Sequence, residues 1–192
     1  MSTTEPIRNS NELIQFREYY HIQHPQKRNY ALIILGLHSA LRISDLLRLK
    51  WKDVYDFEWN CFREHLSVIE HKTQKCTSIP LCKDAKDALG QLFEERHPDK
   101  EDYIFSKATD ATSPLCRSQA YRIVRAAAEH TIQSEHVSCH SLRKTFGYHA
   151  WKQGAQPALL MDIFNHSSYE ITKRYLGITQ DERDGIFLGV QL

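Results

Sequence analysis

The sequence predicts an α+β domain that is mainly α-helical and carries a small antiparallel β-sheet. Three observations predict it. Apolar residues recur at helical spacing near both ends of the chain, the period falls to two only in a short middle stretch, and 192 residues suit one core. In chain order, Leu13, Ile14, Phe16 and Tyr20 mark a helix over Asn9 to Tyr20, and beyond a turn at Pro25 the run Tyr30 to Leu37 marks a second. Ser44 is the expected N-cap of a short helix, Asp45 to Leu49, with Asp45 in its first turn and Arg42 at its entrance. His65 to Ile69 and Cys76 to Leu81 read as the strands of a β-hairpin, and its polar tip carries Lys72 and Lys75. A charged amphipathic helix from about Asp84 to Glu95 follows, then a turn at Pro98, a short strand Tyr103 to Phe105, and a helix opened by Ser113 and Pro114 as N-cap and N1. The rest reads as helical. One helix carries His140 to Lys152 and stops at Gly154, a second runs from Pro157 toward Phe164, and a third opens on the box Ser167-x-x-Glu170, carries Tyr175 and ends before Gly177.

Composition narrows the function. A hydrophobic fraction of 41% supports one well-buried core, expected over residues 1–180, and a second large domain does not fit. Residues 181–192 form an apolar tail, Ile186, Phe187, Leu188 and Val190, which something should cover. No apolar run approaches the roughly 18 residues of a bilayer span, and the polar start Met1 to Asn9 lacks the apolar stretch of a signal peptide. A cytoplasmic protein with no membrane partner is expected. Cys61, Cys76, Cys82, Cys116 and Cys139 form no CxxC pair and read as reduced thiols. No carboxylate cluster suggests Mg²⁺ and no glycine-rich loop suggests ATP, so neither a metal nor a cofactor is expected. A formal charge of +1 gives no global sign of a nucleic-acid partner. A phosphate site would have to come from local Arg and Lys.

One segment supplies such an arrangement. On a helix, His140 and Arg143 share a face, which aims an imidazole and a guanidinium at one point. Upstream stands Leu41-Arg42-Ile43-Ser44-Asp45-Leu46-Leu47. Downstream stand Asn165-His166-Ser167-Ser168 and Thr172-Lys173-Arg174-Tyr175-Leu176. Together these segments resemble, in order, the boxes of the tyrosine recombinases: a GLRxSEL-type box, a hairpin lysine, HxLRHT, LGHxS and TxxYL. The resemblance runs from Leu37 to Leu176 and implies the catalytic-domain fold of that family. It also implies that Arg42, Lys72, His140, Arg143 and His166 surround a scissile DNA phosphate, with Tyr175 as nucleophile and Asp45 as a supporting acid. Two departures stand out: Lys144-Thr145 replaces His-Thr, and Phe164-Asn165-His166 replaces Leu-Gly-His, which alters the turn before His166.

Physical chemistry asks for these residue types independently. Attack on a phosphodiester concentrates negative charge on the non-bridging oxygens, and two guanidiniums, planar and always charged, can clamp that group without a metal. Losing one such donor should cost on the order of 3–4 kcal/mol of transition-state stabilisation. His166 adds a donor and His140 is the candidate base. Tyr175 needs one, since an ordinary phenol with a pKa of about 10 is only about a thousandth ionised at neutral pH. Lys72 is the expected general acid toward the departing 5′-oxygen, with Lys75 as runner-up. Lys75, Lys144 and Lys173 are further expected DNA contacts, beside Arg42, Lys72 and Arg143. The resemblance implies double-stranded DNA as partner, a 3′-phosphotyrosyl intermediate, and self-assembly into a tetramer on paired sites, the tail docking on a neighbouring protomer. A type IB topoisomerase-like enzyme and an inactive DNA-binding module are the alternatives. Because only a short helical segment precedes Arg42, the chain reads either as a fragment without an N-terminal clamp domain or as a short member like the Fim-type inversion recombinases.

Overall fold

The computed structural model describes residues 4–72, 74–132, 136–177, 184 and 187–190. Its elements are α1 (Ser10–Glu18), a π-helical turn (Tyr19–Gln23), α2 (Lys27–His38), α3 (Ile43–Leu46), α4 (Trp51–Val54), β1 (Tyr55–Asp56), β2 (Cys61–Phe62), β3 (His65–Ile69) and β4 (Cys76–Pro80). There follow α5 (Lys83–Arg96), β5 (Ser106–Lys107), β6 (Asp110–Pro114), α6 (Arg117–Thr131), α7 (Cys139–Lys152), α8 (Pro157–Ile163) and α9 (Tyr169–Leu176). The strands pair as three separate two-stranded antiparallel ladders, β1 with β2, β3 with β4, and β5 with β6. The largest is the hairpin that the alternating pattern predicts, with His65 opposite Pro80 and Ile69 opposite Cys76.

Helix α2 lies at the centre because it is apolar all round: Ala31 to Leu37 are buried, and a helix without a polar face is stable only when other elements surround it. It packs against α5, α7 and α1, and side chains from α6 and the hairpin complete the same core. A second, smaller core forms from Ala40, Leu160, Phe164, Tyr175 and Leu176, where α7, α8 and α9 meet. Gly147 on α7 allows that approach, since a Cβ there would lie 2.5 Å from the Phe164 ring and 3.0 Å from Leu176.

Several boundaries differ from the sequence expectations, each for a local reason. The short helix begins at Ile43, so Arg42 rather than Ser44 holds the N-cap position, and the Arg42 carbonyl accepts from the Asp45 and Leu46 amides at 2.9 Å. Ser113 and Pro114 close a hairpin instead of opening a helix. The Asp110 carboxylate takes the Ser113 hydroxyl and the Thr112 amide, so α6 starts later, where Gln119 Oε1 accepts from the Cys116 amide at 2.8 Å. Tyr103 makes an isolated bridge to Lys50 and donates its amide to the Ala111 carbonyl at 3.0 Å, and the strand itself is β5. Ser168, not Ser167, caps α9, its hydroxyl accepting from the Ile171 amide at 3.4 Å. Gly177 ends that helix with φ at 67°, a left-handed angle natural to glycine. The five cysteines are unpaired thiols. Among the described residues no helix is long and apolar enough to cross a membrane.

Candidate active site

Two tight turns and two helices gather the polar residues around Tyr175. Before Arg42 the chain turns at Ala40 with φ at 54°, and before His166 it turns at Asn165 with φ at 50°. Such left-handed angles cost an L-residue roughly 1–2 kcal/mol, and asparagine tolerates them best after glycine. Arg143 on α7 ties the two turns together. Its Nη1 donates to the Ala40 carbonyl and its Nη2 to the Phe164 carbonyl at 2.8 Å, so one guanidinium, 2% exposed, fixes the positions from which Arg42 and His166 project. The guanidinium also lies over the Phe164 ring, 4.9 Å from its centroid.

Tyr175 stands on the inner face of α9, 9% exposed, in the second core. Aromatic rings enclose it. His140 meets it edge-on with ring centroids 5.1 Å apart, His166 does so at 4.9 Å, and Phe164 lies tilted at 4.9 Å. The Lys144 ammonium sits 5.5 Å from the ring centroid while donating to the Thr4 carbonyl at 2.6 Å. The Tyr175 hydroxyl and the Arg143 Nε are both buried and make no well-formed hydrogen bond to another protein group.

Electrostatics follows from this crowding. Burial pushes the Tyr175 hydroxyl up to about 12, although the neighbouring Arg143 and Arg42 charges pull the other way, so the phenol is neutral at physiological pH. Loss of water around the rings and the cations nearby push both imidazoles down to about 4: Lys144, Arg143 and Arg42 for His140, and Arg143, Arg42 and Lys72 for His166. Both histidines are therefore neutral near pH 7. The Thr172 hydroxyl lies 3.0 Å from His166 Nδ1; with threonine as donor, the imidazole proton sits on Nε2, free to be donated. Burial also lowers the pKa of Lys144.

The hairpin tip adds Lys72. Arg42 and Lys72 line a cleft of about 720 Å³ together with His140 and, from α6, Arg117 and Tyr121. Asp45 is buried beneath the hairpin tip and its Oδ1 accepts from the His71 amide at 3.1 Å, which anchors the residue next to Lys72. Lys75 is exposed and does not line this cleft; Lys173 is half-buried on α9. Among the described residues no cluster of three or more His, Cys, Asp or Glu side chains is placed to hold a metal ion. Sequence reasoning missed Glu70, which pairs with Arg42 Nη1 and accepts from the Asn165 side-chain amide at 2.9 Å. The alternation of β3 contained the signal: Leu66 and Val68 face inward, and Glu70 continues the same face.

A buried phenol beside permanent cations and neutral imidazoles is a set of groups suited to phosphoryl transfer. A family model described as the phage integrase family matches residues 8–182, and the chain belongs to that family, the integrases and tyrosine recombinases of site-specific DNA recombination. It is 38% identical to the probable integrase/recombinase YoeC of Bacillus subtilis over 94% of this chain and 93% of that protein. It is 31% identical to the type 1 fimbriae regulatory protein FimE of Escherichia coli K12 over 77% of this chain and 73% of that protein. The fold matches the crystal structure of XerA recombinase with a TM-score of 0.78 at 19% identity, covering all of this chain and 66% of XerA.

Proposed function

We propose that this chain cuts DNA by attack of the Tyr175 hydroxyl on a backbone phosphate held in the cleft, forming a 3′-phosphotyrosyl bond that a 5′-hydroxyl later attacks to reseal the strand. The observation that carries the reading is the convergence of His140, His166 and Arg143 on Tyr175, with Arg42 and Lys72 lining a cleft together with that same His140. In this reading Arg42 and Arg143 clamp the non-bridging oxygens, and His166 donates from Nε2. His140 accepts the phenolic proton. A pKa of about 4 makes it a weak base in the free protein, but a bound phosphate brings negative charge that raises it. Lys72 protonates the leaving 5′-oxygen; loss of its ammonium in Lys72→Ala should slow cleavage by roughly 10² to 10⁴. Asp45 supports the step by anchoring the hairpin. Lys75, Lys144 and Lys173 contribute backbone contacts, which for Lys144 requires release of the Thr4 carbonyl. No metal or nucleotide cofactor enters these steps.

Double-stranded DNA is the substrate, the cytoplasm is the inferred location, and paired sites are inferred to bring four chains together. Residues 1–180 serve as the catalytic unit and 181–192 as the coupling tail: Phe187, Leu188 and Val190 are 80%, 87% and 57% exposed, and a neighbouring protomer would bury them at a gain of roughly 1.5–3 kcal/mol each. Ile186 lies outside the described residues. The test is strand exchange between two cognate sites, compared with relaxation of a supercoiled circle. Exchange supports the reading; relaxation without pairing points to a topoisomerase-like activity, and binding without a covalent adduct to an inert module. Deleting residues 185–192 should lower cooperative assembly while sparing single-site binding and melting temperature.

A further inference from the structure

One buried carboxylate, given no role above, is bonded into the site from three directions. Glu70 is 1% exposed and lies just past the end of β3, two residues before Lys72. One of its oxygens takes the Arg42 guanidinium. The other accepts from the Asn165 side-chain amide at 2.9 Å and from the Thr77 hydroxyl at 3.4 Å. These donors come from the N-cap of α3, the turn before His166, and β4. A buried carboxylate persists only when it is paired and hydrogen-bonded, and this one is paired with a residue that faces the cleft. Arg42 engages it through Nη1 and keeps 20% of its side chain exposed. Because a guanidinium holds five donors in one rigid plane, that bond orients the plane and leaves other donors for a phosphate.

Asn165 makes the arrangement specific. Its φ of 50° is an angle that glycine would take freely, so the backbone alone does not require asparagine; what asparagine adds is the amide that reaches Glu70.

We propose that Glu70 is a positioning residue for strand cleavage: its carboxylate orients the Arg42 guanidinium in the cleft and, through Asn165, fixes the turn that presents His166 in register with it. The proposal rests on Arg42 acting as a phosphate clamp.

The test uses the full chain and a nicked suicide DNA substrate, with single-turnover formation of the covalent adduct, the Kd for the same DNA, and the melting temperature measured for Glu70→Gln, Asn165→Gly, their double variant and Arg42→Ala. Glu70→Gln should slow cleavage by about 10²-fold, the scale of an ångström-sized misplacement of a reacting group. DNA affinity should stay unchanged or tighten, because a negative charge has gone. Asn165→Gly, which keeps the turn, should slow cleavage less and leave the melting temperature unchanged, and the double variant should be no slower than Glu70→Gln alone. A substrate with sulfur in place of the 5′-bridging oxygen separates the routes, since its thiolate leaving group needs no proton. That substrate should relieve Lys72→Ala and leave Glu70→Gln slow.

Cleavage by Glu70→Gln within about twofold of the parent overturns the proposal, as does relief of that variant by the sulfur substrate, which would make Glu70 a partner of Lys72. Full multiplicativity of the two single effects overturns the shared network. If Glu70→Gln melts early, Asn165→Gly carries the test, and an unchanged rate in that variant rejects the proposal. Retained cleavage in Arg42→Ala would instead overturn the clamp reading, a separate failure.

Discussion

The site holds its two arginines by different means. Arg42, at the start of α3, leans on a side chain, the Glu70 carboxylate beside the hairpin strand, whereas Arg143 on α7 donates to the backbone carbonyls of Ala40 and Phe164 and is 2% exposed. A carboxylate can be replaced by a neutral amide, but a carbonyl cannot be mutated away. The support of Arg42 is therefore electrostatically adjustable, and the support of Arg143 is part of the fold itself.

The comparison can be broken most directly at the two arginines. Both Arg143→Ala and Arg42→Ala should lose at least 10²-fold to 10³-fold in cleavage, the scale for a lost transition-state donor. Arg143→Ala also strips donors from two buried carbonyls at about 1–3 kcal/mol each, lowering the melting temperature by roughly 2–4 °C per kcal/mol in a chain of this size. Arg42→Ala takes the Arg42 cation away from the buried Glu70 carboxylate, and adding Glu70→Gln should recover part of the lost melting temperature without restoring cleavage. Calorimetry on the two single variants and the double variant checks this. Equal, unrepaired losses at both arginines would erase the distinction.

A packing change sharpens the helical side. Gly147→Ala puts a methyl group 2.5 Å from the Phe164 ring, so α7 must part from α8 and α9, and overpacking of this kind costs about 1–3 kcal/mol. The melting temperature should fall, and cleavage should fall with it because Phe164 packs on Tyr175. Unchanged cleavage at a lowered melting temperature would separate the second core from the chemistry.

Acid probes the charge around both arginines. His140 and His166 have folded pKa values of about 4, below the ordinary 6.5, so between those values the unfolded chain binds protons that the folded site refuses. Stability is therefore full above about pH 6.5 and declines as the pH falls toward 4. Melting curves from pH 7 to 4.5 should show the decline, and a double variant with glutamine at His140 and His166 should show a shallower one. Identical slopes in the two proteins would contradict neutral imidazoles. The smallest effect expected is that of EDTA, which should leave cleavage unchanged if, as proposed, guanidiniums clamp the phosphate; added Mg²⁺ raising the cleavage step more than a few-fold would count against that clamp.

Legibility in the sequence followed range of interaction. The helices, the hairpin and the spacing of Arg42, His140, Arg143, His166 and Tyr175 could be read because periodicity and local motifs encode them. Helix starts at α3 and α6 were misplaced because capping at those points came from a backbone carbonyl and from Gln119, while Ser113 was drawn to Asp110. The contacts of Arg143 with two distant turns left no trace in local sequence, since they join residues 103 and 21 positions apart. Glu70 lay between these cases: its inward face was readable from alternation, its partners were not.

Covalent attachment through Tyr175 can be followed with a suicide substrate nicked beside the cleavage site. The parent chain should form a protein–DNA adduct that, after proteolysis, maps to the peptide containing Tyr175. Tyr175→Phe should bind the same DNA with nearly the same Kd and form no adduct. An adduct retained by Tyr175→Phe, or mapped to another residue, would contradict the account.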